Sequence, residues 1–198
     1  MVFIPTFIAV SITPGMCMTL AMSLGMSVGL KRTLWMMSGE LVGVGVVAIA
    51  SVVGVAVVML QFPQLFVVLK LIGGIYLVYL GIQLWRSRGK MAVCSTSSMG
   101  ISRKALALQG FVTAVANPKG WAFFIALLPP FIDASKPLTM QLVILVSIIL
   151  SIEFLSLLLY ALGGSSLRKL LQEEKHVKTL NRIAGVLMIG VGIWLMAE

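Results

Sequence analysis

From Met1 to Leu30 the chain carries no charged side chain, yet near the middle of this apolar run stands Thr13-Pro14-Gly15. Proline has no N–H and its ring clashes with the preceding turn, so a helix stops or kinks there. The triplet has a distant echo, Asn117-Pro118-Lys119, in a second apolar run. Thr13 and Asn117 are both of the type that caps a helix start, and proline is favoured at the first helical position. Each triplet therefore reads as a new helix beginning inside an apolar segment. Such a start points unpaired N–H groups and a positive dipole end into low dielectric, which suits an anionic group. A plain proline kink with no ligand is the alternative for one motif. Two matched motifs in matched halves favour the broken-helix reading.

The 198 residues are 60% hydrophobic and 11% charged, with a mean hydropathy of +1.09. Globular chains carry about 25% charged residues, and this one has too little polar surface to cover its apolar bulk. The apolar runs are continuous and not alternating, which predicts a helical membrane protein and excludes a barrel. The net charge of +9 raises nucleic acid as a partner. The basic residues, however, sit in short loops between apolar runs, where membrane orientation accounts for them. Cys17 lies in a span and Cys94 in a polar loop, which supports neither a disulfide framework nor a metal site. His176, the single histidine, falls in a charged loop and reads as solvated.

The expected fold is all-α: six transmembrane helices arranged as two inverted three-helix repeats, with helices 1 and 4 broken. The whole of 1–198 forms one transmembrane domain, with repeat 1 at 1–86, a cytoplasmic linker at 87–104 and repeat 2 at 105–198. The first span is interrupted at Pro14 and runs to Gly25 or Gly29. It has no basic n-region and no small-residue cleavage site, so a signal peptide is not expected. The second runs from Trp35 to Leu60, with Gly39 and Gly43 at the spacing that lets helices approach closely. The third covers Leu65 to Trp85, with Trp85 as an interface anchor. The fourth covers Leu106 to Phe131 and the fifth Leu138 to Leu162. A charged, helix-forming stretch follows, Gly163 to Arg182. The sixth span, Ile183 to Ala197, is short for a ~30 Å hydrocarbon core.

Loops one, three and five hold twelve Lys or Arg, from Lys31 through Arg182, while loops two and four hold only Lys136. The positive-inside rule makes the odd loops cytoplasmic and both termini external. The halves also resemble each other. Leu69-x-x-Ile72-x-Gly74 with Gly81-Ile82 matches Leu180-x-x-Ile183-x-Gly185 with Gly192-Ile193, residue for residue. Three spans per repeat is an odd number, so the second copy inserts upside down, with a substrate site expected at the repeat interface.

Four ionisable side chains fall inside spans: Glu40, Lys70, Lys119 and Glu153. A charge in hydrocarbon costs ~3 kcal/mol or more, so such residues face a cavity or a partner. Lys119 adds a full charge to the second half-helix start, with a purely structural pair to Glu153 as the alternative. Glu153 lies several turns from either end of span five and is the best candidate for binding an ammonium or exchanging a proton. Glu40 lies nearer the cytoplasmic end, where it could instead snorkel or pair with Lys31 or Arg32. Lys70 could snorkel outward. Tyr76, Tyr79 and Tyr160 can donate hydrogen bonds into a cavity or sit at the interface. No His-Glu-x-x-His pair, Gly-x-Ser-x-Gly elbow or nucleotide-binding loop occurs, so an enzyme is not expected.

Thr13-Pro14-Gly15, the run from Leu69-Lys70 to Gly81-Ile82, Asn117-Pro118-Lys119, and Glu153 with Tyr160-Ala161 together resemble the LysE/RhtB family of bacterial amino-acid exporters. The resemblance covers nearly the whole chain in order. One departure is Met16, which stands where the family often has a second proline. The resemblance implies a multi-pass protein of the bacterial inner membrane that exports amino acids or their derivatives by exchange with protons. On this reading Thr13, Pro14, Gly15, Asn117, Pro118, Lys119 and Glu153 bind substrate, and Glu153 and Glu40 handle the proton. The partners are an amino acid, protons and the lipid bilayer, with a homodimer admitted and no nucleic acid or cofactor implied. Two other functions fit less of the sequence. A metal-cation exporter has only Cys17 between Met16 and Met18 in its favour, and a non-transporting membrane scaffold would pair its embedded charges structurally.

Overall fold

Helix is the only regular structure among the described residues of the computed structural model, which are 3–87, 101–128, 131–133 and 135–197. Eight helices follow one another: α1 (Phe3–Ile12), α2 (Met16–Val28), α3 (Leu30–Gln61), α4 (Pro63–Arg86), α5 (Arg103–Val115), α6 (Pro118–Leu127), α7 (Leu138–Gln172) and α8 (Glu174–Ala197). The boundaries fall where the sequence supplies stops and starts. Gly29, with φ of 78°, separates α2 from α3 in a conformation that L side chains rarely adopt. Pro63 opens α4, where a missing N–H leaves no partner wanting. Ser102 caps α5 by accepting from the Ala105 N–H at 3.2 Å. Most of the expected linker, 88–100 with Cys94, lies outside the described residues.

Among the described residues three stretches are long and apolar enough to cross a bilayer: Leu30–Val55, Leu138–Gly163 and Lys175–Ala197. The pair α1 and α2 reaches that length together and is bent by 52° at the Thr13–Gly15 break. The last stretch corrects the short sixth span. Lys175, Lys178 and Arg182 do not end a helix but ride on the first turns of α8, so its 23 residues reach about 35 Å at 1.5 Å per residue. His176 likewise sits on α8 and not in a loop, with Nδ1 3.1 Å from a Glu173 carboxylate oxygen. Outward-facing Val42, Val46, Ile72, Ile75, Leu155 and Leu159 are all exposed, a surface suited to lipid and not to water.

Three helix pairs make the closest contacts: α4 with α8, α3 with α5, and α2 with α7. Small residues allow each approach. A methyl added at Gly39 would run into the backbone of Ala107, one at Gly110 into that of Met36, and one at Gly25 into that of Ala161. Gly43 faces Ala114 and Phe111, so the Gly39/Gly43 spacing does what its sequence suggested. Along α4 and α8 the glycines meet in reciprocal pairs. A Cβ on Gly81 or on Gly185 would stand 2.6 Å from the other's carbonyl oxygen, and Gly74 faces Gly192 in the same way. Trp35 stacks under Arg103 at 5.7 Å and Trp85 under Arg182 at 5.3 Å, which anchors the basic ends of these helices. The buried apolar side chains form two clusters. One gathers Phe7, Val47, Phe123, Phe124, Ile149 and Met188, the other Met18, Leu24, Met36, Leu106, Tyr160 and Val177. Residues of both clusters line a cavity that also holds charged side chains.

Candidate functional site

The first helix break is built differently from its sequence reading. Thr13 does not cap α2. Its hydroxyl donates back to the Ala9 carbonyl at 2.7 Å, and its N–H reaches the same oxygen at 3.2 Å, so Thr13 closes α1. The residue before α2 is Gly15, extended at φ −125° and ψ −171°, and no side chain caps the helix start. The carbonyl four residues back lies within reach of Thr13's short side chain, and that local bond wins over the cap. The opening N–H groups of α2 are therefore left without a side-chain acceptor.

The carbonyl end of α1 is served from the other half of the chain. Lys119 Nζ donates to the Val10 carbonyl at 3.2 Å, and the Tyr160 hydroxyl to the Ile12 carbonyl at 2.6 Å. The last carbonyls of a helix have no partner within it, and here two long donors meet that need.

The second break follows the expectation. Asn117 caps α6 by accepting from the Lys119 N–H at 3.1 Å, with Pro118 in the first turn. Trp121 Nε1 donates across the break to the Val115 carbonyl at 2.8 Å.

The two breaks face one cavity of about 70 Å³, which Thr13, Gly15, Asn117 and Lys119 all help to line. Glu153 of α7 enters it and accepts from Ser11 Oγ at 2.8 Å. Glu40 of α3 enters it too, with 0% of its surface exposed. This overturns the snorkelling alternative: Glu40 points inward to Glu153 and Cys17, and Arg32 instead donates to the Ile101 carbonyl. The Cys17 thiol sits between the Glu40 carboxyl and the Asn117 amide. Neither Glu40 oxygen meets the geometry of a hydrogen bond, although Glu153 is beside it. Two ionised carboxylates can only accept, so they cannot bond to each other; a proton on either supplies the missing donor.

Lys119 and Glu153 feel each other's charge without touching as an ion pair. Among the described residues the lysine–carboxylate ion pair is Lys136 with Asp133, on the surface. The structural Lys119–Glu153 pair is thus replaced by two separate bonds, each to α1. Pro14 stays in the break itself, between Thr13 and Gly15. Tyr76 and Tyr79 lie exposed on α4 with rings 6.0 Å apart and do not reach the cavity. The side chain of Lys70 lies outside the described residues. Ser11, Phe7, Phe123 and Phe124 line the cavity and escaped the sequence reading. One signal was available, since Phe7 and Ser11 stand four residues apart on one face of α1. Among the described residues no group of three or more His, Cys, Asp or Glu is placed to hold a metal ion.

The chain is similar to membrane proteins, several of them named for efflux. The profile of the LysE type translocators matches residues 7–198. An uncharacterized membrane protein of Vibrio cholerae is 27% identical over 98% of this chain and 94% of its own length. The homoserine/homoserine lactone efflux protein of Salmonella typhimurium is 27% identical over 98% of this chain and 93% of its own. The leucine efflux protein of Salmonella choleraesuis is 25% identical over 77% of this chain and 73% of its own. No solved structure matches. With the profile spanning all but the first six residues, the chain belongs to the LysE translocator family.

Proposed function

We propose that this protein is a secondary transporter of the bacterial inner membrane that exports amino acids or their derivatives in exchange for protons. The observation that carries the reading is the convergence of both half-helix starts with Lys119, Glu40 and Glu153 on one buried cavity. An amino-acid carboxylate suits the uncapped N–H groups of α2 together with Lys119, since donors and positive charge are gathered there. Lys119 has three N–H groups, of which Val10 takes one. The ammonium group suits Glu153 and Glu40. The same two carboxyls, one of them without a donor, suit a proton that leaves when the substrate's ammonium arrives. Exchange then follows from competition for one site.

The architecture proposed is the six-span inverted repeat: the α1–α2 pair, α3 and α4, followed by the α5–α6 pair, α7 and α8. The helix pairs support it. Taken as whole spans, the second packs on the fourth as the fifth packs on the first, mainly through α5 in one case and α2 in the other, and the third packs on the sixth. The glycines support it as well. Matching Gly74 to Gly185 and Gly81 to Gly192 converts the Gly74–Gly192 contact into the Gly81–Gly185 contact, as a two-fold relation requires. The twelve-to-one bias of basic residues supports odd loops in the cytoplasm and both termini outside. The relatives named for homoserine and leucine efflux support an amino acid as cargo. The test is efflux of a panel of amino acids and toxic analogues from cells expressing the protein, with and without an imposed pH gradient. Export of at least one amino acid that rises with inward proton drive is expected. Equal retention of the whole panel by expressing and empty cells would refute the reading.

A further inference from the structure

We propose that the site is selective for neutral amino acids with an apolar side chain, held head-down with the side chain packed on Phe7, Val47, Phe123 and Phe124. This rests on the exporter reading above and adds the class of substrate to it. The cavity is divided by chemistry. Its ionisable side chains are Cys17, Glu40, Lys119 and Glu153, and they lie together: Glu40 beside Glu153 and Cys17, and Lys119 within the field of Glu153. Two carboxyls that converge on one point serve one ammonium, not two spaced along a chain.

The other end is apolar. From Ser11 back to Phe7, from Glu40 on to Val47, and from Lys119 on to Phe123 and Phe124, each helix carries the cavity wall one to two turns from the charged end. At 1.5 Å per residue that is about 6–10 Å. These four side chains belong to one buried cluster, with Phe7 and Phe123 ring centroids 5.7 Å apart and Phe7 and Phe124 6.0 Å apart. The second charge of a lysine or glutamate would come to rest there, stripped of water and of any counter-charge. An aliphatic side chain gains contact at the same place. Unfilled space adjoins this wall: Gly120, one turn before Phe123 and Phe124 on α6, also lines the cavity, and a Cβ added there would meet nothing within 4 Å.

The same space gives the decisive variant. Gly120 lines the cavity and has open space at its Cβ position, so Gly120→Val adds bulk there and alters none of the charged side chains. Efflux of leucine, alanine, lysine and glutamate is compared for the native chain and Gly120→Val, with membrane-inserted protein measured for both. The native chain is expected to export leucine at least tenfold faster than lysine or glutamate. Gly120→Val is expected to move the leucine-to-alanine ratio at least tenfold toward alanine. Lysine or glutamate leaving as fast as leucine overturns the apolar-side-chain inference and leaves the exporter reading standing. So does an unchanged leucine-to-alanine ratio in a normally inserted Gly120→Val. If Gly120→Val does not insert, the native selectivity alone decides. A native chain that moves none of these and no other amino acid overturns both.

Discussion

Replacing Glu40 or Glu153 by glutamine separates a proton-handling pair from a structural one. Glutamine keeps the size and an acceptor oxygen, adds two N–H donors, and removes the charge and the exchangeable proton. At Glu153 the bond from Ser11 Oγ at 2.8 Å survives, but it falls from a charge-assisted bond to a neutral one. That difference is worth about 1 kcal/mol. Against it, the new amide N–H reaches toward Glu40, whose two oxygens have no donor. At Glu40 the amide oxygen can still accept from the Cys17 thiol, and the new N–H stands in for a shared proton as donor to Glu153. Each single variant is thus expected within about 1 kcal/mol of the native stability, since one bond is weakened and another gained. Inserted protein then stays within roughly fivefold, while efflux driven by a pH gradient falls to background in both. The assay is reconstituted vesicles with an imposed pH gradient, scored beside thermal unfolding in detergent. A buried ion pair would behave in the opposite way, losing ~3–5 kcal/mol when one partner is removed. A normally inserted Glu40→Gln or Glu153→Gln that still follows the pH gradient at the native rate would show that the carboxyls do not couple transport to protons.

Lys119→Met leaves the Val10 carbonyl unpartnered at a cost of about 1–3 kcal/mol, and also weakens substrate binding. Tyr160→Phe orphans the Ile12 carbonyl at a similar cost with substrate binding retained, so equal binding losses in the two variants would remove Lys119 from the site. Gly81→Ala puts a methyl 2.6 Å from the Gly185 carbonyl and should cost about 1–3 kcal/mol in thermal unfolding; an unshifted midpoint would mean that α4 and α8 do not pack as described. A reporter fused within 88–100 is expected in the cytoplasm and one fused after Glu198 outside, and cleavage of the first by external protease would reverse the orientation. The Ser135 hydroxyl, then Lys136 and the Ser135 N–H, hold the Asp133 carboxyl well below the usual range, at about 2. A depressed carboxyl keeps its bonds above its ordinary pKa and loses them only as pH falls through the shifted value. The Ser135 amide should therefore stay protected from hydrogen exchange at pH 4, and loss of protection between pH 7 and 4 would contradict the loop geometry.

What could be read in advance depended on how local the determining interaction is. Pro14 and Pro118 break helices by their own covalent structure, and both breaks lie where the prolines stand. Gly39 and Gly43 announced a close approach, though not that α5 supplies the other side. Asn117 capped its helix because the acceptor and the N–H are two residues apart. Thr13 misled because a threonine at a helix boundary can bond forward to the next start or back to the previous turn. Hydropathy alone does not choose between them. Glu40 was legible in part. Its place nearer the cytoplasmic end left snorkelling open beside a role with Glu153, and α3 turns that face toward α7 and buries it completely. The charged stretch before span six reads as helix-forming, but its lysines put the start of the span at Ile183, eight residues after Lys175 where the apolar helix begins. On the first turns of a helix such lysines can extend to the membrane surface instead.

The ends of the broken helices also explain why one lysine serves two masters. A break inside a membrane creates a start, whose N–H groups invite an anion, and an end, whose carbonyls require donors. Attention to the start alone made Lys119 a substrate ligand; attention to charge alone made it a partner for Glu153. The α1 end adds a third demand, and it is met by Lys119 through Val10 and by Tyr160 through Ile12. With Ser11 bonded to Glu153, three side chains of the second half hold the last turn of α1. A carboxylate arriving at Lys119 and an ammonium or proton arriving at Glu153 therefore act on groups that also fix that turn. Loading the cavity and releasing the first half-helix are then two descriptions of the same exchange of hydrogen bonds.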